Sequence, residues 1–387
     1  MNVMIKDGKN MKCIINGQLI LPTQVVSGMA IIFDEKIEKI VPAEGLDLSQ
    51  YEVIDAEGKW VAPGLVDIHI HGYMGADTSD GDPDGIRKMS KGLVKNGVTS
   101  FCPTTMTVSV EEIEKAFNDA REVKAEGAKN GAKVIGVNCE GPFINPSKKG
   151  AQAEDHIKRP DAEFIKKHAD IIKVYTIAPE VDGGLECIAD VFADGRVVSS
   201  MGHTNATFDE ANAGIAKGVR HTTHLFNAQT ALMHRNPGVV GAALSDENVS
   251  VELICDTFHV NPGLYKMVHK LKGDKLCIIT DCMRAGGMPD GDYTLGGQPV
   301  KKTGIQCLMP DGTIAGSVLD LNKGVKNFYE HAGVTLSEAF AAASLNPAKA
   351  IGMADSIGSL EEGKCADIII VDTDFNVIKT IIGGIEK

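Results

Sequence analysis

The segment Gly64-Leu-Val-Asp-Ile-His-Ile-His-Gly72 alternates apolar and polar residues, which sets Asp67, His69 and His71 on one side of a β-strand. Two imidazoles two residues apart on one strand face can reach a single divalent ion. A half-buried strand whose histidines only hydrogen-bond has the same spacing, so His-x-His alone decides nothing. Recurrence does. Glu140 follows the apolar run from Lys133, His203 follows Val197–Met201, His224 closes Arg220–His224 and Asp281 follows Leu276–Thr280. His259 lies a short loop beyond Ser250–Cys255. Neutral imidazoles with one carboxylate suit zinc or iron(II), and a site not closed by four protein ligands leaves room for water. A divalent ion lowers the pKa of such a water toward neutrality. Asp281 is then the group to orient it, take its proton and hand it to a leaving group.

Side chains spread this widely along the chain need a scaffold that gathers strand ends. The middle of the sequence alternates strand and helix eight times, with strands expected at Leu65–His71, Thr99–Pro103, Lys133–Cys139, Ile172–Ile177, Val197–Met201, Arg220–His224, Ser250–Cys255 and Leu276–Thr280. Helical periodicity fills intervals such as 111–129, 209–217 and 262–270. Apolar strands alternating with amphipathic helices imply a parallel sheet, and eight such units imply an α/β fold of the (β/α)8 type, whose chemistry sits at the C-terminal strand ends. This barrel is expected over residues 63–350. Short strands in residues 1–62 and again in 351–387 are too few at either end to bury a core. They are expected to pair as one small β-sandwich domain. Gly286 to Gly316 reads as a hairpin excursion after the eighth strand, and Thr335-Leu-Ser-Glu338 as a capping box before an Ala-rich helix that breaks at Asn346-Pro347.

Composition narrows the partners. The 387 residues carry a net charge of −13, which argues against a phosphate backbone as ligand, so no nucleic acid is expected. No apolar run approaches the ~20 residues of a membrane span, and no signal segment is evident at the N-terminus. Nine scattered cysteines without a CxxC pair favour a reducing, cytoplasmic setting.

His-x-His on strand one, histidines ending strands five and six, and Asp on strand eight resemble the amidohydrolase superfamily. The closing segment Gly358-Ser-Leu-Glu-Glu-Gly-Lys-Cys-Ala-Asp-Ile-Ile-Ile-Val-Asp372 resembles it too. Narrower motifs run in order along the chain: Glu140-Gly-Pro-Phe, Lys148-Lys-Gly-Ala-Gln152, Gly202-His-Thr-Asn-Ala-Thr207, Thr223-His-Leu-Phe-Asn-Ala228 and Thr280-Asp281. Together they resemble the family of N-acetylglucosamine-6-phosphate deacetylases over essentially the whole chain. That resemblance implies metal-dependent hydrolysis of the sugar's acetamide, with Glu140, His203 and His224 holding the principal ion and Asp281 as acid/base. Because His69 and His71 are both present, it leaves a second ion there open. It implies Gln152, Asn227, Ala228, Arg235 and His259 as substrate contacts, with Arg235 on the phosphate, a residue that can come from the neighbouring subunit, and a homodimer. The family often has His where Gln152 stands, and Gln cannot become cationic. A bridging Lys at the end of strand four, as in other superfamily members, is absent: Lys173 lies near that strand's start and Glu180 past its end. An N-acetylgalactosamine 6-phosphate or N-acyl-D-amino acid substrate, or a non-catalytic scaffold, are the competing expectations.

Overall fold

Strands that are apolar along their whole length must be covered on both faces. The computed structural model describes residues 11–129 and 131–387. Among these, eight parallel strands form one ring: β1 (Leu65–Ile70), β2 (Val98–Thr105), β3 (Val137–Phe143), β4 (Ile172–Ile177), β5 (Val198–Met201), β6 (Val219–Thr222), β7 (Ser250–Ile254) and β8 (Leu276–Ile279). Each pairs with the next in sequence order. The ring closes where Ile70 bridges Cys282, with the Asp281 N–H donating to His69 O and the His71 N–H to Cys282 O, both at 2.9 Å.

An outer helix follows every strand: α1 (Pro83–Leu93), α2 (Val110–Ala125), α3 (Ala162–Lys167), α4 (Gly184–Asp194), α5 (Phe208–Lys217), α6 (Gly238–Ser245), α7 (Tyr265–Lys272) and α8 (Leu321–Ala332). In α2, Ser109 and Glu112 form a reciprocal capping box, and Ile113, Phe117 and Ala120 recur at helical spacing on the buried face. The expected (β/α)8 barrel is the observed fold.

The two chain ends meet. One sheet joins strands Lys12–Ile15, Met29–Phe33, Ile37–Pro42 and Glu52–Asp55. A second sheet pairs the C-terminal strand Ile368–Val371 antiparallel with Trp60–Pro63, and that N-terminal strand runs directly into β1. Ile14, Phe33, Val61, Ile368 and Ile381 share one core between the sheets. The first ten residues of the N-terminal stretch lie outside the described residues.

Some expected boundaries move. Strand three divides into Lys133–Val134 and β3, so Glu140 sits inside a strand rather than at its end. The helix after Thr335 stops at Ala342, and Asn346-Pro347 falls in the first turn of a new helix, Leu345–Ala350, where proline is tolerated. The excursion after β8 is a three-stranded antiparallel sheet over Gly291–Leu295, Gln298–Thr303 and Gln306–Leu308.

Asp67 fastens the closing seam. It is fully buried on β1 and accepts the Thr280 hydroxyl at 2.6 Å and the His69 N–H at 3.2 Å. Burial outweighs these bonds and pushes its carboxyl up to about 7. Replacing Asp67 by Ala orphans those donors, so a loss of about 1–3 kcal/mol is expected. Urea titration should show the lowered midpoint, and Asp67→Asn should recover much of it. An unchanged midpoint in Asp67→Ala would show that the seam is held elsewhere.

Candidate metal centre and active site

Five strands deliver six side chains to one mouth of the barrel. His69 lies near the end of β1 and His71 one residue past it, while Glu140 projects from β3. His203, His224 and Asp281 each stand two residues beyond β5, β6 and β8. All three have positive φ, 47°, 29° and 49°, a left-handed conformation that costs a non-glycine residue of order 1–3 kcal/mol. Surrounding structure must hold them there.

The hydrogen bonds fix which imidazole nitrogen carries the proton. His203 Nδ1 lies 2.8 Å from Lys148 O, and His71 Nδ1 lies 3.2 Å from Thr104 O. A carbonyl only accepts, so both Nδ1 atoms donate and both Nε2 atoms of the neutral rings present lone pairs. His69 Nδ1 is spent on Glu252 Oε2 at 2.9 Å, leaving its buried Nε2 without a hydrogen-bond partner. These lone pairs converge on carboxylates. Glu140 Oε1 is 3.1 Å from His203 Nε2 and 2.9 Å from His224 Nε2, and those two nitrogens are 3.1 Å apart. Glu140 Oε2 is 3.0 Å from His71 Nε2, and Asp281 Oδ1 is 3.2 Å from the same atom.

Acceptors facing acceptors in a buried site demand positive charge between them. Burial pulls the His69 and His71 imidazoles down, yet the carboxylates outweigh it: Glu252 and Glu140 hold His69 well above its ordinary value, and Asp281 and Glu140 raise His71 to about 10. In return, although burial raises them, the histidines hold Glu140 well below and Asp281 below the usual carboxylate range. Protons or a divalent ion can supply the charge. Among the described residues, two groups have metal-ligand spacing, His69–His71–Glu140 and Glu140–His203–His224, with Glu140 common to both. Nitrogen and carboxylate donors of this kind fit zinc or iron(II).

Above the cluster opens a cavity of about 360 Å³, lined by His71, Glu140, Gln152, His203, His224, Asn227, Ala228, His259 and Asp281, with Met106, Leu295 and Ile314 as an apolar wall. Gln152 Nε2 donates to Glu140 Oε2 at 2.7 Å while its Oε1 accepts the Thr107 N–H at 2.6 Å. Asn227 spends its backbone N–H on His224 O, so that donor is not free for an oxyanion. Asp256 holds His259 Nδ1 at 2.6 Å. Arg235 does not line this cavity. It is exposed, donates to its neighbour His234, and borders a separate groove with Met233 and Thr207 that touches the cavity through Lys148.

Glu252 and Asp256 escaped the sequence reading. For Glu252 the signal was a lone carboxylate in the apolar run Ser-Val-Glu-Leu-Ile-Cys, since a charge buried on a barrel strand must be paired. Asp256 stands three residues before His259, a spacing that loops often use to tether a side chain, but nothing in the residues alone singles it out.

Similarity to known proteins follows the same residues. The pattern of the amidohydrolase family matches residues 60–386. An N-acetylglucosamine-6-phosphate deacetylase of Bacillus subtilis (strain 168) is 38% identical, over 93% of this chain and 92% of that protein. An N-acetylgalactosamine-6-phosphate deacetylase of Escherichia coli O157:H7 is 34% identical, over 86% and 89%. The crystal structure of N-acetylglucosamine-6-phosphate deacetylase from Pasteurella multocida superposes with a TM-score of 0.92 at 32% identity, covering 97% of this chain and 99% of that one. With its metal-ligand spacing at the barrel mouth and matching relatives along nearly its whole length, the chain belongs to the amidohydrolase family.

Proposed function

We propose that this chain hydrolyses the acetamide of N-acetylglucosamine 6-phosphate to glucosamine 6-phosphate and acetate, using zinc or iron(II). The observation that carries this assignment is the set of imidazole lone pairs, fixed by their Nδ1 partners, that converge on Glu140 and Asp281. Glu140, His203 and His224 would hold the principal ion. His69 and His71, sharing Glu140, would hold a second. A bound divalent ion supplies Lewis acidity toward the acetamide carbonyl and acidifies water.

The chain's own residues do the rest. Asp281, kept ionised by the surrounding imidazoles, is able to take the proton of the attacking water. As the water oxygen bonds to the carbonyl carbon and the C–N bond breaks, that proton passes to the departing nitrogen, and the acetic acid formed gives its remaining proton to the amine, leaving acetate and the ammonium form of the sugar. Asp256 turns His259 so that Nε2, not Nδ1, faces the cavity that would take the sugar phosphate. Asn227 and Ala228 line the same wall. A net charge of −13 repels a phosphate at long range, so local contacts must hold it. Arg235 lies on a segment whose Leu232 and Met233 are exposed, which supports a homodimer in which one copy lends Arg235 to its neighbour's cavity. We take residues 63–350 as the catalytic unit, with 1–62 and 351–387 as the small β unit beside it. The cysteines are all free and mostly buried, in keeping with a cytoplasmic setting, and no helix among the described residues is long and apolar enough to cross a membrane. The 34% identical galactosamine-phosphate relative keeps the epimeric sugar phosphate as the second candidate substrate.

Three outcomes follow from these roles. Because His71 has its pKa raised to about 10 without an ion, it is protonated at neutral pH and must lose that proton to become a ligand. Adding Zn²⁺ to chelator-stripped protein at pH 7 should therefore release protons into a weakly buffered indicator solution. Affinity should weaken by about tenfold per pH unit of acidification for each proton displaced. No proton release would mean the imidazoles are already neutral and the charge argument is wrong.

Asp281→Asn should keep its metal by elemental analysis while kcat falls by about 10²–10⁴. Turnover within a few-fold of the unaltered protein would remove Asp281 from the acid/base role.

Arg235→Ala should raise KM for N-acetylglucosamine 6-phosphate by about ten- to a hundredfold, the worth of a charge-assisted hydrogen bond. Acetate release from unphosphorylated N-acetylglucosamine should barely change. Equal losses on both substrates would assign Arg235 to folding or assembly instead. Running the same assay on both epimeric 6-phosphates decides the sugar.

A further inference from the structure

Glu252 makes more contacts with the metal centre than its place in the sequence suggests, although it cannot itself reach an ion in the cavity. It is fully buried on β7. Its Oε2 accepts the His69 Nδ1–H and the His224 backbone N–H, both at 2.9 Å. Its Oε1 accepts from His221 Nε2 at 3.1 Å, and its backbone carbonyl accepts the Leu225 N–H at 2.9 Å. Every lone pair that matters is therefore used, and the partners belong to β1, β6 and the turn after β6.

Two consequences meet in this one carboxylate. An acceptor at Nδ1 forces His69 to keep its proton there and to turn a lone pair at Nε2 toward the cluster, where that atom is buried with no other partner. The bond to the His224 N–H holds a backbone that sits at φ 29°, the conformation in which that imidazole reaches Glu140. His69 belongs to one ligand group and His224 to the other.

We propose that Glu252 is the positioning residue that makes His69 a ligand of the second ion and yokes that site to the first through the His224 backbone. The assignment rests on the two-ion arrangement proposed above. It also sets a rule for substitutions. In Glu252→Gln the amide oxygen must stay at the Oε2 position, because the His224 backbone N–H can only donate. The amide NH₂ then faces His221, whose ring can exchange tautomers because its Nδ1 has no partner. Gln thus keeps the geometry and removes the charge, whereas Met removes both.

The test is Co²⁺ titration of chelator-stripped full-length protein, followed by calorimetry and by the visible ligand-field spectrum. The unaltered protein should bind two ions per chain. Glu252→Gln should weaken the second by about tenfold and leave the first in place, and Glu252→Met should weaken the second by about a hundredfold, the range over which outer partners of metal-bound histidines act. In a His69→Ala background, Glu252→Gln should add little further loss of the second ion. Should the Met variant not fold, NMR of the Co²⁺-loaded unaltered protein serves instead. A slowly exchanging, hyperfine-shifted N–H that disappears in His69→Ala is expected, and its absence overturns the proposal. Equal loss of both ions in Glu252→Gln, or unchanged second-ion affinity in both variants, also overturns it. A stoichiometry of one in the unaltered protein would instead remove the two-ion arrangement, and the assignment of Glu252 with it.

Discussion

The rest of this structure depends on a buried excess of acceptors. Glu140 and Asp281 and the Nε2 lone pairs of His69, His71 and His203 point at one another at the mouth of the barrel, within 3.0–3.5 Å for the histidine–carboxylate contacts. Leaving such groups uncompensated costs several kcal/mol per charge, so an apolar core could not tolerate them. They persist because something positive belongs there, and because the scaffold leaves the side chains no room to turn away. His203, His224 and Asp281 are held in left-handed backbone, and each strained residue is pinned: Asp281 by the β1–β8 seam, His203 by the Lys148 carbonyl, His224 by Glu252.

Holding five strands to this tolerance explains why so much of the chain lies on the far side of the barrel. The helices after α8 pack beneath β1 and β8, where the Val66 N–H donates to Ala343 O at 2.9 Å and the Asn346 amide to Leu276 O at 2.8 Å. Val66, Ile68, Cys277 and Ile279 share a core there with Ala348 and Ile351. The small β unit contributes in the same direction. Its strand Trp60–Pro63 is clamped by Ile368–Val371 from the chain's C-terminal part and continues into β1, the strand that carries His69 and leads into His71. Lys133 adds an ion pair to Asp367 at 2.6 Å between barrel and β unit. The clustered side chains sit on or just past the barrel strands, and those strands are buttressed from below.

What could be read from the residues alone follows from the same physics. Barrel strands announce themselves because both faces are buried and the apolar runs are nearly continuous, and β4 was legible to the residue. The cluster at the strand ends was legible because histidine interrupts an apolar run at a place where nothing else needs it. The break in the last helix was misplaced because Pro347 reads as a stop, while in a new first turn its missing N–H costs nothing. The partners of Glu252 and Asp256 were hidden for a different reason. Each carboxylate acts on a histidine distant in sequence or across a turn, and hydrogen-bond pairing of that kind is a property of the folded register, not of spacing. Arg235 shows the opposite case: sequence resemblance names it, yet within one chain it faces a groove beside the cavity rather than the cavity itself.

Gln152 ties these themes together. The Thr107 backbone N–H can only donate, so Oε1 of the amide must face it and Nε2 must face Glu140. Glu140 is thereby held with Oε1 toward His203 and His224 and Oε2 toward His71, the orientation in which one carboxylate serves both ligand groups. One amide proton remains for the cavity. It is a neutral donor, weaker toward a carbonyl oxygen than an imidazolium would be. In the two-ion arrangement proposed above, that shortfall would fall to the ion at His69 and His71. A glutamine at 152 and the His69–His71 pair would then be complementary halves of one way of polarising an amide, and Glu140, which contacts Gln152 and His71, is the residue through which each would constrain the other.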